Sequence, residues 1–231
     1  MIIDPSEIFD NKVFVLNKTP IIETIDTGPA KVTVIDNFYE YIDGVIAQIP
    51  KMSVSLVWDQ EGNNETFFDG RKVYRSNMEG SLIPYAFDHT LPNLVSNIID
   101  FPVDRIRSSK EFIVNCFTFT DEFDSVFETH WYGPHRDRHD YGPTSTGMIA
   151  IVVFLNEHYE EGEGMNFYDV PDDFVLTIRE RKDKVKQIYT VQGKKNRAVL
   201  FDSQFPHGQH TPTNQFKNEM RYTQVIFVPL Y

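Results

Sequence analysis

The chain has a single cysteine, Cys116, so no intrachain disulfide can form and a thiolate metal site is excluded. A reducing cytoplasm is the simpler setting for such a protein. No run approaches the ~20 apolar residues that a membrane-spanning helix needs. The opening Met1-Ile2-Ile3-Asp4-Pro5 also lacks the basic head and apolar core of a secretion signal. The expectation is a cytoplasmic protein with no membrane partner. Positive charge is scarce too: 22 lysines and arginines against 34 aspartates and glutamates leave a formal charge of −12. Nucleic acid is therefore not an expected partner, because affinity for it comes largely from Lys and Arg displacing counterions. The basic residues that do cluster, Arg179, Arg181, Lys182, Lys184 and Lys186, then Lys194, Lys195 and Arg197, are interleaved with Glu180 and Asp183 and read as a solvated hairpin.

What the chain does have is length enough for a core, 231 residues, with 41% apolar and 14% aromatic side chains. That composition fits one globular domain with a β-rich, lined interior. Residues 1 to 31 carry Pro5, Pro20 and Pro29 and read as an extended lead-in, with one short strand over Lys12 to Leu16. Asp36 has the character of a helix N-cap, followed by Phe38, Ile42, Val45, Ile46 and Ile49 at helical spacing up to Pro50. A second helix is signalled by Thr90, with Pro92 in its first turn, then Leu94, Val95, Ile98 and Ile99 before Pro102.

From about Glu111 the pattern changes to short runs rich in β-branched and aromatic residues. They are Phe112 to Thr120, Val126 to Trp131, Met148 to Leu155, Met165 to Tyr168, Phe174 to Ile178, Gln187 to Val191, Ala198 to Phe201 and Arg221 to Val228. Short strands in this number with no helix between them predict a mainly β fold with bracing helices, an antiparallel barrel or two-sheet jelly roll. The chain divides accordingly into an N-terminal extension with bracing helices over 1–110 and a jelly-roll core over 111–231.

Six of the seven histidines fall at or after residue 130. The densest group of ligand-type side chains is His130-Trp131-Tyr132-Gly133-Pro134-His135-Arg136-Asp137-Arg138-His139-Asp140. Two ligands at i and i+2 on an extended backbone point to the same side, so His135 and Asp137 can close on one metal. A third ligand must come from elsewhere, and the run from Asn196 to His207 supplies a histidine where a strand ends in a turn. Two imidazoles and one carboxylate on one face of an octahedron leave three positions open, which suits Fe(II) binding a bidentate 2-oxo acid and then dioxygen. His210 is the alternative distal ligand, and His139-Asp140 is a second candidate pair. Phe167, Tyr168 and Trp131 read as core, and His130 as structural.

The segment from His135 to Thr223 resembles the Fe(II)/2-oxoglutarate-dependent dioxygenase superfamily, in particular its prolyl-4-hydroxylase-like branch. His135-Arg136-Asp137 matches the superfamily's His-x-Asp, and Tyr132-Gly133-Pro134 precedes it much as a tyrosine does in that branch. Phe154-Leu155-Asn156, then Glu161-Gly162-Glu163-Gly164-Met165-Asn166-Phe167-Tyr168, is similar to the strand, turn and glycine-bearing strand that follow. Phe205-Pro206-His207 matches the distal histidine. Arg221-Tyr222-Thr223 resembles the Arg-x-Ser/Thr element, whose guanidinium and hydroxyl take the far carboxylate of 2-oxoglutarate. Phe154 stands where the branch often has tyrosine.

The resemblance implies a double-stranded β-helix of the cupin-like kind, with His135, Asp137 and His207 as metal ligands and Arg221, Thr223 and Tyr132 at the co-substrate. It also implies Fe(II), 2-oxoglutarate and dioxygen as cofactor and co-substrates. An aspartate at Asp137 fits a hydroxylase, since halogenating members have a small residue there. Two other readings compete: a non-catalytic jelly-roll binding module, and a cupin-like metalloenzyme that does not use 2-oxoglutarate. Intact Arg221 disfavours the first and the scarcity of histidines around a glutamate disfavours the second. The expected substrate is a small molecule or peptide, and the sequence does not give the oligomeric state.

Overall fold

The computed structural model describes residues 10–51, 55–56, 71–79, 85–107, 111–119, 136–137, 146–170, 185–213 and 215–231. Eleven strands and three helices are named among them. The strands are β1 (Ile21–Asp26), β2 (Lys31–Asp36), β3 (Ser55–Leu56), β4 (Arg71–Glu79), β5 (Glu111–Phe119), β6 (Gly147–Phe154), β7 (Gly164–Asp169), β8 (Lys186–Gln192), β9 (Ala198–Asp202), β10 (His207–His210) and β11 (Arg221–Leu230). The helices are α1 (Ile42–Ile46), α2 (Tyr85–Ile99) and α3 (Gln215–Asn218).

Eight strands form one sheet in the order β1-β2-β9-β6-β11-β5-β4-β3, and three form a second in the order β10-β7-β8. The pairings between named strands are antiparallel, which is the jelly-roll arrangement the sequence predicts.

The near-continuous apolar run of β6 follows from its place in the middle of the large sheet, where both faces are covered. Ile149, Ile151 and Val153 join Ala198 and Leu200 of β9, and Ile226 and Val228 of β11, in a cluster with Val45 of α1 and with Leu91 and Val95 of α2. Met148, Ala150 and Phe154 point the other way and join Val199, Phe201 and Phe227 with Met165 and Phe167 of β7 and Val191 of β8. The large sheet is therefore filled by helices on one side and by the small sheet on the other. The candidate site side chains on β10 and β11 face that second interior.

Several elements depart from the sequence expectations. Strands β1, β2, β3, β4 and β10 were not foreseen. The pair β1-β2 forms a hairpin that docks on β9 through Thr33, Val34 and Ile35, where an extended lead-in was expected. The predicted strand over Lys12 to Leu16 is a 3-10 turn, Asn11–Val13, and a lone bridge from Leu16 to Tyr39. Asp36 caps no helix: it ends β2, and its carboxylate accepts hydrogen bonds from Arg197 Nε and Nη2 at 2.7 and 3.0 Å and from Lys194 Nζ at 2.9 Å. The Arg197 guanidinium holds the Asp36 carboxyl below the usual carboxylate range, against the opposing effect of burial. The helix expected from Asp36 shrinks to Ile42–Ile46, because Phe38 and Tyr39 are spent on the core before it starts. Helix α2 begins at Tyr85, so Pro92 lies inside it and not in its first turn. The short helix α3 interrupts the run of strands. The expected strands Val126 to Trp131 and Phe174 to Ile178 lie outside the described residues, as does the basic run from Arg179 to Lys184. No helix among the described residues is long and apolar enough to cross a membrane.

Asn196 ties the hairpin to the core. Its backbone is left-handed at φ 64°, its side chain accepts from Tyr39 N at 2.8 Å and donates to Tyr39 O at 2.8 Å, and its carbonyl accepts from Phe38 N. Asn196→Ala removes both side-chain bonds to buried backbone groups and puts a methyl group in a conformation that asparagine tolerates better. The expected result is about 2 to 4 kcal/mol lower stability, read as a fall in the urea midpoint at unchanged m-value.

Candidate metal and co-substrate site

Cross-strand register decides which way each side chain of β10 faces. His207 pairs with Phe167 and Gln209 with Met165 on β7, while Gly208 pairs with Asn166 and His210 with Gly164. Directly opposed residues share a face. Because Phe167 and Met165 belong to the interior between the sheets, His207 and Gln209 face inward and His210 faces the outer side of the small sheet. Burial pushes the His210 imidazole below its ordinary pKa.

The His207 ring is 3% exposed and packs edge-on against Phe201 with centroids 4.6 Å apart. Its Nδ1 lies 2.8 Å from the carbonyl oxygen of Phe205. A carbonyl only accepts, which assigns a proton to Nδ1 and leaves Nε2 as the nitrogen that can coordinate a metal. That Nε2 is 3.3 Å from Asp137 Oδ2. An imidazole nitrogen and a carboxylate oxygen at this distance can share a proton or a cation, and one imidazole with one carboxylate is a donor set that suits a divalent iron. The backbone of Asp137 is held by the turn that leads into β10: its N–H donates to Ser203 O at 2.9 Å, and its carbonyl accepts from Gln204 Nε2 at 2.7 Å. The same turn thus places both side chains. Among the described residues no three histidine, cysteine, aspartate or glutamate side chains converge. His135, Tyr132, His130 and the pair His139-Asp140 lie outside the described residues.

Arg221 and Thr223 alternate inward on β11 with Val225 and Phe227, and they are 1% and 4% exposed. Asn156 fixes the start of the strand, accepting from Tyr222 N at 2.7 Å and donating to Met220 O at 2.8 Å. The Arg221 guanidinium donates through Nη2 to Gly164 O at 2.8 Å, and its carbon lies 5.7 Å from the ring centroids of both Phe154 and Phe216. Gly164 has no room for a side chain, since a Cβ there would meet Val191 O at 2.0 Å. Tyr159 packs edge-on against Phe154 and Phe216. Its hydroxyl is pushed up to about 12 by burial, with the Arg221 charge acting the other way. Phe154, which stands in place of a tyrosine, contributes an aromatic wall here.

Glu163 completes these surroundings. Its Oε1 accepts from Thr213 N at 3.0 Å and Oγ1 at 2.6 Å, and its Oε2 is buried without a hydrogen-bond partner. Burial pushes its carboxyl above the usual glutamate range, against the lowering effects of Thr213 and of Arg221. A folded-state pKa raised in this way favours the neutral acid. Its contribution to stability is complete below the ordinary glutamate value and is lost as pH rises through the folded one. Glu163→Gln mimics the neutral acid, so it is expected to match the wild type in melting temperature at acidic pH and to exceed it at neutral pH.

Residues 124–228 match the family model of the 2OG-Fe(II) oxygenase superfamily. That stretch, somewhat under half of the chain, is similar to Fe(II)- and 2-oxoglutarate-dependent oxygenases. No curated protein matches the sequence. Among solved structures, the chain is similar to the epimerase SnoN in complex with Fe3+, alpha ketoglutarate and nogalamycin RO, at 12% identity and a TM-score of 0.55 over 86% of this chain and 78% of that one. It is also similar to an oxidoreductase of the 2OG-Fe(II) oxygenase family from Burkholderia pseudomallei, with 9% identity, TM-score 0.53 and coverage of 86% and 84%. A third is EvdO2 from Micromonospora carbonacea var. aurantiaca, with 11% identity, TM-score 0.52 and coverage of 92% and 94%. At these identities the structures speak for a shared fold, the double-stranded β-helix.

Proposed function

We propose that this oxygenase hydroxylates a C–H bond of a small-molecule substrate, with His135, Asp137 and His207 holding the iron and Arg221, Thr223 and Tyr132 serving the co-substrate. The observation that carries the ligand set is the approach of His207 Nε2 to Asp137 Oδ2 at 3.3 Å, with Nδ1 committed to Phe205 O. His135 joins them by the i, i+2 rule on the sequence. The inward face of β10 favours His207 over His210. Iron held by these residues would supply, with 2-oxoglutarate and dioxygen as co-substrates, the oxidising chemistry that an unactivated C–H bond needs, with succinate and CO₂ as the co-products.

The protein's own part is to bind, orient and exclude water. Arg221 presents a planar fork to the far carboxylate of the oxo acid, and Thr223 adds a hydroxyl from the same strand face. Phe154 and Phe216 wall the guanidinium from solvent, which strengthens its hold on an anion. A small-molecule substrate is supported by the nogalamycin compound bound to SnoN, and the charge of −12 argues against a polyanionic partner.

The test is an anaerobic titration of metal-free protein with Fe(II) and 2-oxoglutarate, followed by the weak visible metal-to-ligand charge-transfer band. A saturable band that requires both components is expected. No band at any ratio would remove the proposed site.

A further inference from the structure

Gln209 stands two residues beyond His207 on β10, and its amide shares the inward face with that imidazole. The next residue, His210, is in register with Gly164, whose carbonyl holds the Arg221 guanidinium. At about 3.3 Å per residue, the Gln209 backbone lies about 7 Å along the strand from His207 and one residue from the row where Arg221 attaches. Gln209 is therefore placed between the two ends of the candidate site, His207 and the row where Arg221 attaches. Its cross-strand neighbour is the apolar Met165, and the interior around it is lined by Phe154, Phe167 and Val191.

In this apolar interior the Gln209 side-chain oxygen is buried and has no hydrogen-bond partner. A buried carbonyl oxygen left unpaired is costly, and native structures keep few of them without a reason, although Gln209 as a whole is only half-buried. Rotation about the last side-chain bond exchanges the amide's oxygen and nitrogen, so the same position offers either an acceptor or two donors. A 2-oxo dicarboxylate has acceptors only and would be met by the N–H₂ group.

We propose that Gln209 is a co-substrate-binding residue whose amide donates a hydrogen bond to an oxygen of 2-oxoglutarate between the iron end and Arg221. The inference rests on the reading of His207 and Arg221 given above. It adds to that pair a neutral contact on the small sheet, facing the charged one on the large sheet.

Calorimetric titration of 2-oxoglutarate into anaerobic Mn(II)- or Fe(II)-loaded protein tests it, with Gln209→Met, Gln209→Glu and Arg221→Ala compared with wild type. Gln209→Met keeps the length and loses the donor. It is expected to weaken 2-oxoglutarate binding about 10-fold, about 1.4 kcal/mol, with metal affinity unchanged and the melting temperature equal to or above that of the wild type. Under turnover the same change is expected in the KM for 2-oxoglutarate and not in kcat. Gln209→Glu sets an anion beside an anion and is expected to weaken binding by more than about 100-fold, about 2.7 kcal/mol. Wild-type affinity in folded Gln209→Met would overturn the inference alone. Absence of 2-oxoglutarate binding in the metal-loaded wild type would overturn it together with the reading of the site, so the two failures are told apart.

Discussion

Arg221→Ala is expected to weaken 2-oxoglutarate binding by about 100-fold or more, as befits the loss of a desolvated, charge-assisted contact. The side chain is 1% exposed, so the bound anion would meet no competing water and no substitute cation from solvent. The variant also deprives Gly164 O of its donor and leaves a cavity between Phe154 and Phe216, so a lower melting temperature is expected alongside. Arg221→Lys separates the two effects. It keeps the positive charge but not the fork, and it should recover part of the affinity. Anaerobic calorimetry with metal-loaded protein measures all three. Wild-type affinity in the folded alanine variant would remove Arg221 from the co-substrate site.

His207→Ala is expected to lower Fe(II) affinity by more than about 100-fold, a larger effect than loss of a group that only orients a ligand. His210→Ala should leave affinity within about twofold, because its ring lies on the opposite face of β10 from Asp137. Equilibrium competition against a metallochromic chelator reads both variants without requiring turnover. The opposite ranking would make His210 the ligand and would require β10 to pair with β7 one residue out of register, a slip that turns every side chain to the other face.

The two-residue period explains how far the sequence could be read. Where a strand lies buried on both faces, as β6 does, a run such as Met148-Ile149-Ala150-Ile151-Val152-Val153-Phe154 announces itself by composition. The edge hairpin β1-β2 gives no such signal: Ile21 and Ile22 are 64% and 45% exposed, and its one proline, Pro29, and its charges resemble those of a loop. Strand β10 is four residues, His-Gly-Gln-His, with no apolar member, and only its pairing with β7 makes it a strand. That is why Gln209 stayed invisible beside His207, and why spacing alone left His207 and His210 undecided. The burial of Arg221 was legible because it lies in an otherwise apolar strand, where an arginine needs a polar partner. Asp36 misled because an aspartate before a helical pattern reads as a cap, while its partners Arg197 and Lys194 lie some 160 residues away in sequence.

The placement of β2 bears on how the molecule must be handled. Val32 and Val34 share the interior that holds Phe154, Met165 and Phe201, and β2 covers the flank of β9 that β6 leaves open. A fragment cut back to the stretch that bears the chemical groups would lose this wall. It would present β9 as a bare strand edge beside an uncovered apolar floor, a template on which a second chain can add. Strand β2, which carries none of the proposed ligands, thus keeps that edge of β9 from pairing with a second copy of the chain.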